Sequence, residues 1–363
     1  DVRDMSRVYN FSAGPAALPL EVLEQIRHDI PDWQGSGMSV MEVSHRSKDF
    51  MAVAARAEST FRDLLGISSD YSVLFPQGGA TLQMAMAPLN LTRKEDTVDY
   101  VITGSWGKKA ANEAKKFCNV NIAADASDKN FTYIPAEVGW QRSDNAAYLH
   151  FTPNETIAGV EFHFVPAGDV PLVADMSSTI LSRPIDVDRF GVIYAGAQKN
   201  IGPAGITVVI VRNDLLERVR PNNPHLMTWK AYAESDSMTN TPPTFAWYVA
   251  DLVFQWLKAQ GGIEAIAEVN QRKAAKLYKA IDESSFYSNP VAVDARSWMN
   301  VPFVLADAKL DAVFLEESLA AGLANLKGHR SVGGMRASIY NAVPEAAVDA
   351  LIDFMADFEN RKT

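Results

Sequence analysis

Apolar positions recur along the chain with two different periods, which predict alternating helices and strands. Over residues 48–65 they fall at helical spacing and end at Gly66, as expected for an amphipathic helix. Short, almost uninterrupted apolar runs such as 72–75 and 206–211 indicate strands that are buried on both faces. From about residue 70 to 212 strand, loop and helix alternate, which is typical of a mostly parallel sheet between two layers of helices.

The C-terminal third of the chain has a pattern of its own. Residues 221–241 are polar and turn-rich without a period, and long irregular segments in compact domains are usually functional or covered by a partner. Two long predicted helices follow, and then strand, helix, strand and helix. We therefore predict an α/β fold with a large domain of residues 16–262. Residues 263–363 would form a smaller α+β domain together with the N-terminal segment 1–15.

Composition is that of an ordinary globular protein. Its 363 residues are 47% apolar, which is enough to bury a large core. The single cysteine, Cys118, excludes an internal disulfide and fits a reducing compartment. No apolar run approaches the roughly 20 residues that span a bilayer, and residues 1–7 lack the apolar stretch of a signal peptide. We therefore expect a cytoplasmic protein, with Met5 as a candidate natural start.

The net charge of −10 disfavours binding to nucleic acid or to an anionic membrane, because neither is attracted by an acidic surface. Cationic side chains nevertheless occur in local pairs, at His45-Arg46 and at His329-Arg330. Arg336 lies in an otherwise apolar predicted strand, where an unpaired charge would be costly. Its anionic partner is either a structural Asp or Glu or the carboxylate of a ligand. We assign no metal ligands.

Lys199 is the strongest candidate for chemistry. It lies between two predicted strands in a loop rich in glycine and alanine, which allows a flat ligand to approach the backbone closely. Dry surroundings favour the neutral amine, the form that attacks an aldehyde. Asp175, at the end of an earlier predicted strand, could keep a pyridine nitrogen protonated, as the chemistry of pyridoxal phosphate requires. Taken singly, each residue also fits an ordinary role, as a solvated lysine or a capping aspartate.

Other candidate residues follow predicted strands in the same way. A glycine pair at 78–79 precedes a helix N-terminus, whose free N–H groups and dipole favour an anion such as phosphate. Thr81, Trp106 and Thr156 also come directly after strands, where the ligand of a parallel sheet lies. Trp106 precedes a helix predicted at 108–117. The alternatives are a simple turn for the glycines, a core position for the tryptophan and a turn hydroxyl for Thr156.

From Tyr9-Asn-Phe-Ser-Ala-Gly-Pro15 to the C-terminal helix, the chain resembles the phosphoserine aminotransferases, a fold-type-I family that depends on pyridoxal phosphate. The resemblance includes the segments 173–179 and 194–205 and covers nearly the whole chain. It implies a mostly parallel sheet of the seven-stranded type in the large domain. The implied reaction is a reversible transamination in which L-glutamate and 3-phosphohydroxypyruvate give 2-oxoglutarate and O-phospho-L-serine, for serine biosynthesis. A further candidate substrate is 4-phosphohydroxy-L-threonine, in vitamin B6 synthesis.

The resemblance also implies a role for each matching residue. Lys199 would bind the cofactor covalently and move the proton, Asp175 would keep its ring nitrogen protonated, and Trp106 would stack on its ring. Further implied cofactor contacts are Ala80, Thr81, Thr156, Gln198, Asn240 and Thr241. Asn240 and Thr241 would reach the cofactor phosphate of the neighbouring subunit in a homodimer with shared active sites. The implied substrate-binding residues are His45, Arg46, His329, Arg330 and Arg336, with Arg336 on the α-carboxylate.

Three alternatives fit the sequence less well. Another fold-type-I aminotransferase, such as alanine-glyoxylate aminotransferase, would not need the four additional cationic side chains. A cysteine desulfurase needs a mobile nucleophilic cysteine, whereas Cys118 lies at the end of a predicted helix. A non-catalytic cofactor-binding protein would need neither Lys199 nor Asp175.

Overall fold

The computed structural model describes residues 7–363, so the candidate start at Met5 lies outside the described part. The strands are β1 Tyr9–Asn10, β2 Tyr71–Leu74, β3 Thr97–Ile102, β4 Asn119–Asp125, β5 Leu149–Phe151, β6 Asn154–Glu155, β7 Val160–Glu161, β8 Leu172–Asp175, β9 Val192–Gly196, β10 Thr207–Arg212, β11 Tyr287–Ser288, β12 Asn300–Leu305, β13 Leu323–Ala324 and β14 Met335–Ser338. The helices are α1 Leu20–Asp29, α2 Lys48–Leu65, α3 Gly79–Leu91, α4 Ser105–Ala114, α5 Trp229–Ala233, α6 Thr244–Ala259, α7 Gly262–Asp282, α8 Asp311–Ala320 and α9 Glu345–Lys362. None of the helices between residues 7 and 363 has the length and apolar character that a membrane crossing requires.

The central sheet has seven strands in the order β2-β10-β9-β8-β5-β3-β4. Strands β9, β8, β5, β3 and β4 are parallel to one another, whereas β10 runs antiparallel to β2 and to β9. The predicted α/β fold with a mostly parallel sheet is confirmed. Because antiparallel neighbours need no helical crossover, a short loop joins β9 to β10. Lys199 lies in this loop.

Both faces of the sheet are buried, which explains the continuous apolar runs in its strands. Along β9, Ile193 and Ala195 pack on one side against α1, α2 and α6. Val192 and Tyr194 pack on the other side against α3, α4 and α5. The carboxyl ends of the parallel strands are left free for a site, as in other sheets of this kind.

A separate core surrounds the three-stranded antiparallel sheet β11-β12-β14 and the helices α8 and α9. The N-terminal segment reaches this core through Phe11, and β1 pairs in parallel with β13. Helix α7 contributes to both cores, with Ile263 and Ile266 in the first and Leu277 and Ile281 in the second. The domain boundary at residues 262–263 therefore stays a prediction.

Three elements differ from the sequence pattern. The segment 221–241, predicted to be irregular, contains α5, which Trp229 anchors by donating its Nε1–H to Gln83 Oε1 over 2.9 Å. The pattern did not predict β4, because its Asn, Ala and Asp residues disfavour strands and it owes its place to pairing with β3. The helix predicted at 108–117 begins at Ser105 and ends at Ala114. Trp106 therefore lies in the first turn of α4.

Candidate functional site

A cavity lies at the carboxyl ends of the parallel strands, between the first turns of α3 and α4 and the loop after β9. Of the residues predicted from the sequence, it is lined by Ala80, Thr81, Trp106, Thr156, Asp175, Gln198 and Lys199. Residues from five segments that are distant in the chain thus meet in one place.

Lys199 reaches this cavity from the loop between β9 and β10. Its Nζ donates a hydrogen bond to Thr156 Oγ1 over 2.7 Å. Burial lowers the pKa of Lys199 to about 8, although the nearby carboxylates of Asp175 and Glu155 act in the opposite direction. A substantial fraction of the amine is therefore neutral near physiological pH and can act as a nucleophile or a base.

Asp175 ends β8 and is buried. Its Oδ1 accepts hydrogen bonds from the Ser177 N–H, at 3.0 Å, and from the Ser177 hydroxyl, at 2.7 Å. Its Oδ2 has no hydrogen-bond partner among residues 7–363. Burial raises the pKa of Asp175, while the Ser177 hydrogen bonds and the Lys199 charge counteract that rise. The free oxygen at the cavity wall can accept a hydrogen bond from a protonated ring nitrogen.

The first turn of α3 provides free backbone donors. Gly78 and Gly79 have φ angles of 97° and 66°, which only glycine adopts readily. A Cβ atom at Gly78 would also overlap the side chain of Leu82. The tight turn places the N–H groups of Ala80 and Thr81 at the start of a 13-residue helix, where they and the helix dipole favour an anion.

Trp106 lies half-buried at the cavity, and its Nε1–H is buried without a partner in the described residues. The backbone N–H groups of Trp106 and Gly107 donate to the Glu155 carboxylate over 3.2 and 2.9 Å. Burial raises the pKa of Glu155 to about 7. The indole is thus held beside the cavity by the backbone of its own helix.

The segment after β5, Thr152-Pro-Asn-Glu-Thr156, contacts Trp106, Lys199 and Arg336, yet the sequence pattern pointed to Thr156 alone. Thr152 lines the cavity, and its Oγ1 is buried without a partner among residues 7–363. The Asn154 side-chain amide donates to Ser178 Oγ over 2.7 Å and to Asn300 Oδ1 over 2.8 Å. A run of polar residues directly after a buried strand was the signal in the sequence, because polar groups are buried only where they have partners.

Arg336 approaches this segment from β14 and donates to the Thr156 carbonyl over 3.4 Å. It makes no ion pair with an Asp or Glu of residues 7–363, so a structural carboxylate partner is not found there. His329 and Arg330 lie on the hairpin beside it, because Lys327 pairs with Met335 and the Gly328 N–H donates to the Gly334 carbonyl over 2.9 Å. Burial and the charges of Arg336 and Arg330 lower the pKa of His329. The two arginines and the imidazole therefore form a group without an anionic partner among residues 7–363.

The remaining predicted residues lie apart from the Lys199 cavity within one chain. His45 and Arg46 line a different cavity together with Ser237 and Met238. The Thr241 carbonyl accepts a hydrogen bond from Gln77 Nε2 over 3.1 Å. Neither Asn240 nor Thr241 lines the cavity that holds Lys199. The roles predicted for these four residues stay predictions.

Comparison with known proteins now identifies the family. The model of the class-V aminotransferases matches residues 8–351. Phosphoserine aminotransferase from Hahella chejuensis is 59% identical over 98% of this chain and 99% of its own. The same enzyme from Acidithiobacillus ferrooxidans is 60% identical over 97% of this chain and 98% of its own. The chain belongs to the phosphoserine aminotransferase family, within the class-V aminotransferases.

Solved structures agree with this assignment. Phosphoserine aminotransferase from Bacillus circulans superposes with a TM-score of 0.96 at 48% identity, over 98% of this chain and 99% of that one. The pyridoxal-phosphate-bound enzyme from Trichomonas vaginalis gives a TM-score of 0.93 at 44% identity, over 96% of this chain and all of that one. An alanine-glyoxylate aminotransferase from Nostoc, at 16% identity and a TM-score of 0.77, shares the fold alone.

This member of the family is a transaminase whose cofactor is pyridoxal 5'-phosphate. Its cavity fits that group in chemical terms. The free Oδ2 of Asp175 suits a ring nitrogen, and the N–H groups at the start of α3 suit a phosphate. The buried Thr152 hydroxyl has no partner among residues 7–363 and is therefore free to form a hydrogen bond with the group. Trp106 offers a ring face and Lys199 an amine of lowered pKa.

Proposed function

We propose that this transaminase transfers the amino group between L-glutamate and 3-phosphohydroxypyruvate, giving 2-oxoglutarate and O-phospho-L-serine for serine biosynthesis. The proposal is carried by Arg336, which reaches the Thr156 carbonyl and has no carboxylate partner in the described residues, together with His329 and Arg330 on the hairpin beside it. On a chain of net charge −10, a local positive group selects small polyanions. A phosphorylated keto acid and glutamate both carry a second anionic group in addition to the α-carboxylate.

Each cavity residue then has a defined task. When bound, pyridoxal phosphate supplies the sink for the electrons released as the substrate Cα–H bond breaks. Lys199 Nζ takes the proton from Cα as a general base and returns it later as a general acid. Asp175 Oδ2 holds a proton on the ring nitrogen, and Trp106 keeps the ring plane in place. The guanidinium of Arg336 holds the substrate α-carboxylate by paired N–H donors.

The reaction sites are proposed to be shared between two chains. His45, Arg46, Asn240 and Thr241 do not line the Lys199 cavity of their own chain. The exposed Met51 lines the same second cavity as His45 and Arg46. A second chain that covers this surface would bury the methionine and bring the polar residues to its own Lys199 cavity. We propose a cytoplasmic location as well, because the single cysteine fits a reducing compartment.

The experiment compares amino acceptors. Purified protein is loaded with pyridoxal phosphate, and 2-oxoglutarate formation from glutamate is followed with 3-phosphohydroxypyruvate, pyruvate or glyoxylate. Because one charge-assisted hydrogen bond is worth about 1.5 to 3 kcal/mol, we expect kcat/KM to be at least roughly tenfold higher for the phosphorylated acceptor. Equal or higher efficiency with glyoxylate would overturn the proposal in favour of an alanine-glyoxylate type of enzyme. The variant Lys199→Ala is the control and should show no turnover.

A cysteine desulfurase is not supported by the structure. Cys118 is buried between the sheet and α4, and its thiol lies against the Ala114 carbonyl at 3.7 Å. Burial raises the pKa of Cys118, so the reactive thiolate is disfavoured.

A further inference from the structure

Glu155 is a buried carboxylate whose role neither the motifs nor the reaction explains. Its side chain is fully buried, and no arginine or lysine of the described residues pairs with it. Burying a carboxylate without an ion pair is costly, and backbone hydrogen bonds offset only part of that cost. Such a group in the wall of a cofactor site therefore calls for a functional explanation.

Its hydrogen bonds lead to the aromatic residue of the site. Oε2 accepts the N–H of Trp106 over 3.2 Å and Oε1 accepts the N–H of Gly107 over 2.9 Å. These donors belong to the first turn of α4, where N–H groups have no partner inside the helix and the dipole favours a negative charge. Both oxygens are thus directed at the turn that carries the indole.

The chain also leaves room for this carboxylate. Gly104 has an extended backbone, with φ 178°, that any residue could adopt. A Cβ atom there would nevertheless overlap the Glu155 side chain. At Gly107 a Cβ atom would lie 3.2 Å from Oε1, which is also tight. Absence of side chains at these two positions lets Glu155 approach the backbone of α4.

We propose that Glu155 is a positioning residue for the cofactor ring, which acts by fixing the start of α4 so that the Trp106 indole lies flat against the ring. It does not touch the reacting atoms itself. Thr156, the next residue, binds Lys199 Nζ. One short segment therefore sets both the indole and the amine. This inference depends on the cofactor and not on the proposed substrate pair.

The test is a double-mutant cycle on cofactor affinity. The full chain, freed of cofactor, is titrated with pyridoxal phosphate for wild type, Glu155→Gln, Trp106→Ala and the double variant. The amide keeps the shape of Glu155 but presents an NH₂ group to one backbone N–H. Above the pKa of Glu155, which is about 7, the variant Glu155→Gln loses a hydrogen bond to a charged group, and we expect the dissociation constant to rise roughly tenfold there. On the Trp106→Ala background the same change should have almost no effect, because coupled residues are not additive.

Two further variants keep the test independent of folding. Gly104→Ala keeps Glu155 in the sequence, but the added methyl group displaces its carboxylate from the start of α4. This variant should therefore weaken cofactor binding in the same way. Glu161→Gln is the control, because Glu161 is a fully buried carboxylate outside the cavity that accepts the Trp298 N–H over 2.8 Å and pairs with Arg183. It should lower the free energy of unfolding in urea and leave the dissociation constant unchanged.

The result of the cycle decides whether Glu155 positions the cofactor ring or only stabilises the fold. Unchanged cofactor affinity in Glu155→Gln and Gly104→Ala would overturn the proposal, as would losses that add fully to that of Trp106→Ala. A loss of cofactor affinity in Glu161→Gln equal to that in Glu155→Gln would show that reduced stability of the fold weakens cofactor binding in general, and it would also overturn the proposal. Failure of the acceptor comparison in the preceding section would leave this outcome unaffected, because the titration contains no substrate.

Discussion

Burial shifts the pKa of Lys199, Asp175 and Glu155 toward the neutral form. Lys199 and Asp175 line the cavity, and Glu155 lies behind it between the lining residues Asn154 and Thr156. The two carboxylates would raise the pKa of the lysine if they acted alone, yet the loss of hydration outweighs them. The motif around Lys199 predicted a dry loop and the direction of this shift. It did not reveal Glu155, because the partners of that residue are backbone N–H groups of a helix that begins 50 residues earlier.

Reactivity of Lys199 should follow pH with a midpoint near 8. Because only the neutral amine attacks an electrophile, the rate at which trinitrobenzenesulfonate labels Lys199 in the cofactor-free chain should rise with pH and level off above about 8. Labelling is measured by peptide mass spectrometry. Lys230 in the same digest is the internal control, because its pairing with Glu217 raises its pKa and its reactivity should still increase where that of Lys199 has levelled off. A Lys199 profile that coincides with that of Lys230 would contradict the lowered pKa.

Removing the charge of Asp175 should separate binding from catalysis. In Asp175→Asn the side chain keeps its shape, so pyridoxal phosphate should still bind. Because the ring nitrogen loses its anionic partner, kcat should fall about a hundredfold or more, as when one electrostatic stabiliser is removed from a site. Ser177→Ala is the matched variant. It removes one of the two hydrogen bonds to Oδ1 and should cost less. Near-normal turnover in Asp175→Asn would mean that another group keeps the ring nitrogen protonated.

Variants of Arg336 and Arg330 should differ in substrate pattern. If Arg336 holds the α-carboxylate, Arg336→Ala should weaken phosphoserine, glutamate and alanine alike. Arg330→Ala should lower kcat/KM for phosphoserine and glutamate by roughly ten- to a hundredfold and leave alanine almost unchanged, since each 1.4 kcal/mol is tenfold. The measurement is kcat/KM for the three substrates. Equal losses on all three in Arg330→Ala would mean that this arginine supports the fold or the cofactor.

At the scale of elements, the loop between β9 and β10 is held by other parts of the chain. The Gln198 carbonyl accepts the Ala16 N–H over 2.9 Å, so the N-terminal segment lies on the loop. Asn200 Oδ1 accepts the N–H of Asn341 over 3.0 Å, and Asn341 follows the strand that carries Arg336. The lysine loop and the arginine strand are therefore linked by a direct hydrogen bond, which a pattern of apolar periods cannot reveal.

Helix α7 adds a buried lysine to the same region. Lys273 Nζ donates to the carbonyls of Tyr340, at 2.9 Å, and Val343, at 2.8 Å. Burial lowers the pKa of Lys273 to about 7. Between about pH 7 and the ordinary lysine value near 10.5 the unfolded chain therefore binds the proton and the folded chain does not. In that window this group makes the folded state more stable as pH rises.

The variant Lys273→Met should lose this pH dependence. The difference in unfolding free energy between wild type and variant should change in favour of wild type by up to about 1.4 kcal/mol per pH unit within the window. Urea unfolding at several pH values measures it. Lys276→Met, on the same helix, is the control, because Lys276 lies at the surface beside Glu345 and Asp349. A constant difference from pH 7 to 10 for Lys273→Met would contradict the shift.

At the scale of the whole molecule, we expect a dimer with shared sites. Sedimentation should show two chains per particle, and mixed dimers test the sharing. A chain with Lys199→Ala is combined with a chain that carries Asn240→Ala and Thr241→Ala. If each site takes its lysine from one chain and Asn240 and Thr241 from the other, each mixed dimer has one intact site of two. Random pairing makes half of the dimers mixed, so the mixture should regain about a quarter of wild-type activity. No gain on mixing would place both sets in the same chain.

The sequence by itself determined the type of fold, the presence of Lys199 and Asp175 at strand ends, and the likeness to a single family. Those features are local, because the apolar period of a strand or helix is visible in adjacent residues and the end of a strand is defined by only a few residues. Helix α2 even has the bounds, Lys48–Leu65, that its apolar residues predicted.

Only the tertiary structure decided which residues share a cavity and which lie apart. In the tertiary structure Glu155 accepts the backbone N–H of Trp106, and Asn341 donates its N–H to Asn200 in the lysine loop. His45 and Arg46 line another cavity. The tertiary structure also decided β4, whose composition disfavours a strand but whose backbone pairs with β3. In each case the physical reason is the same: the partner that satisfies a buried polar group or a strand edge lies far away in the chain.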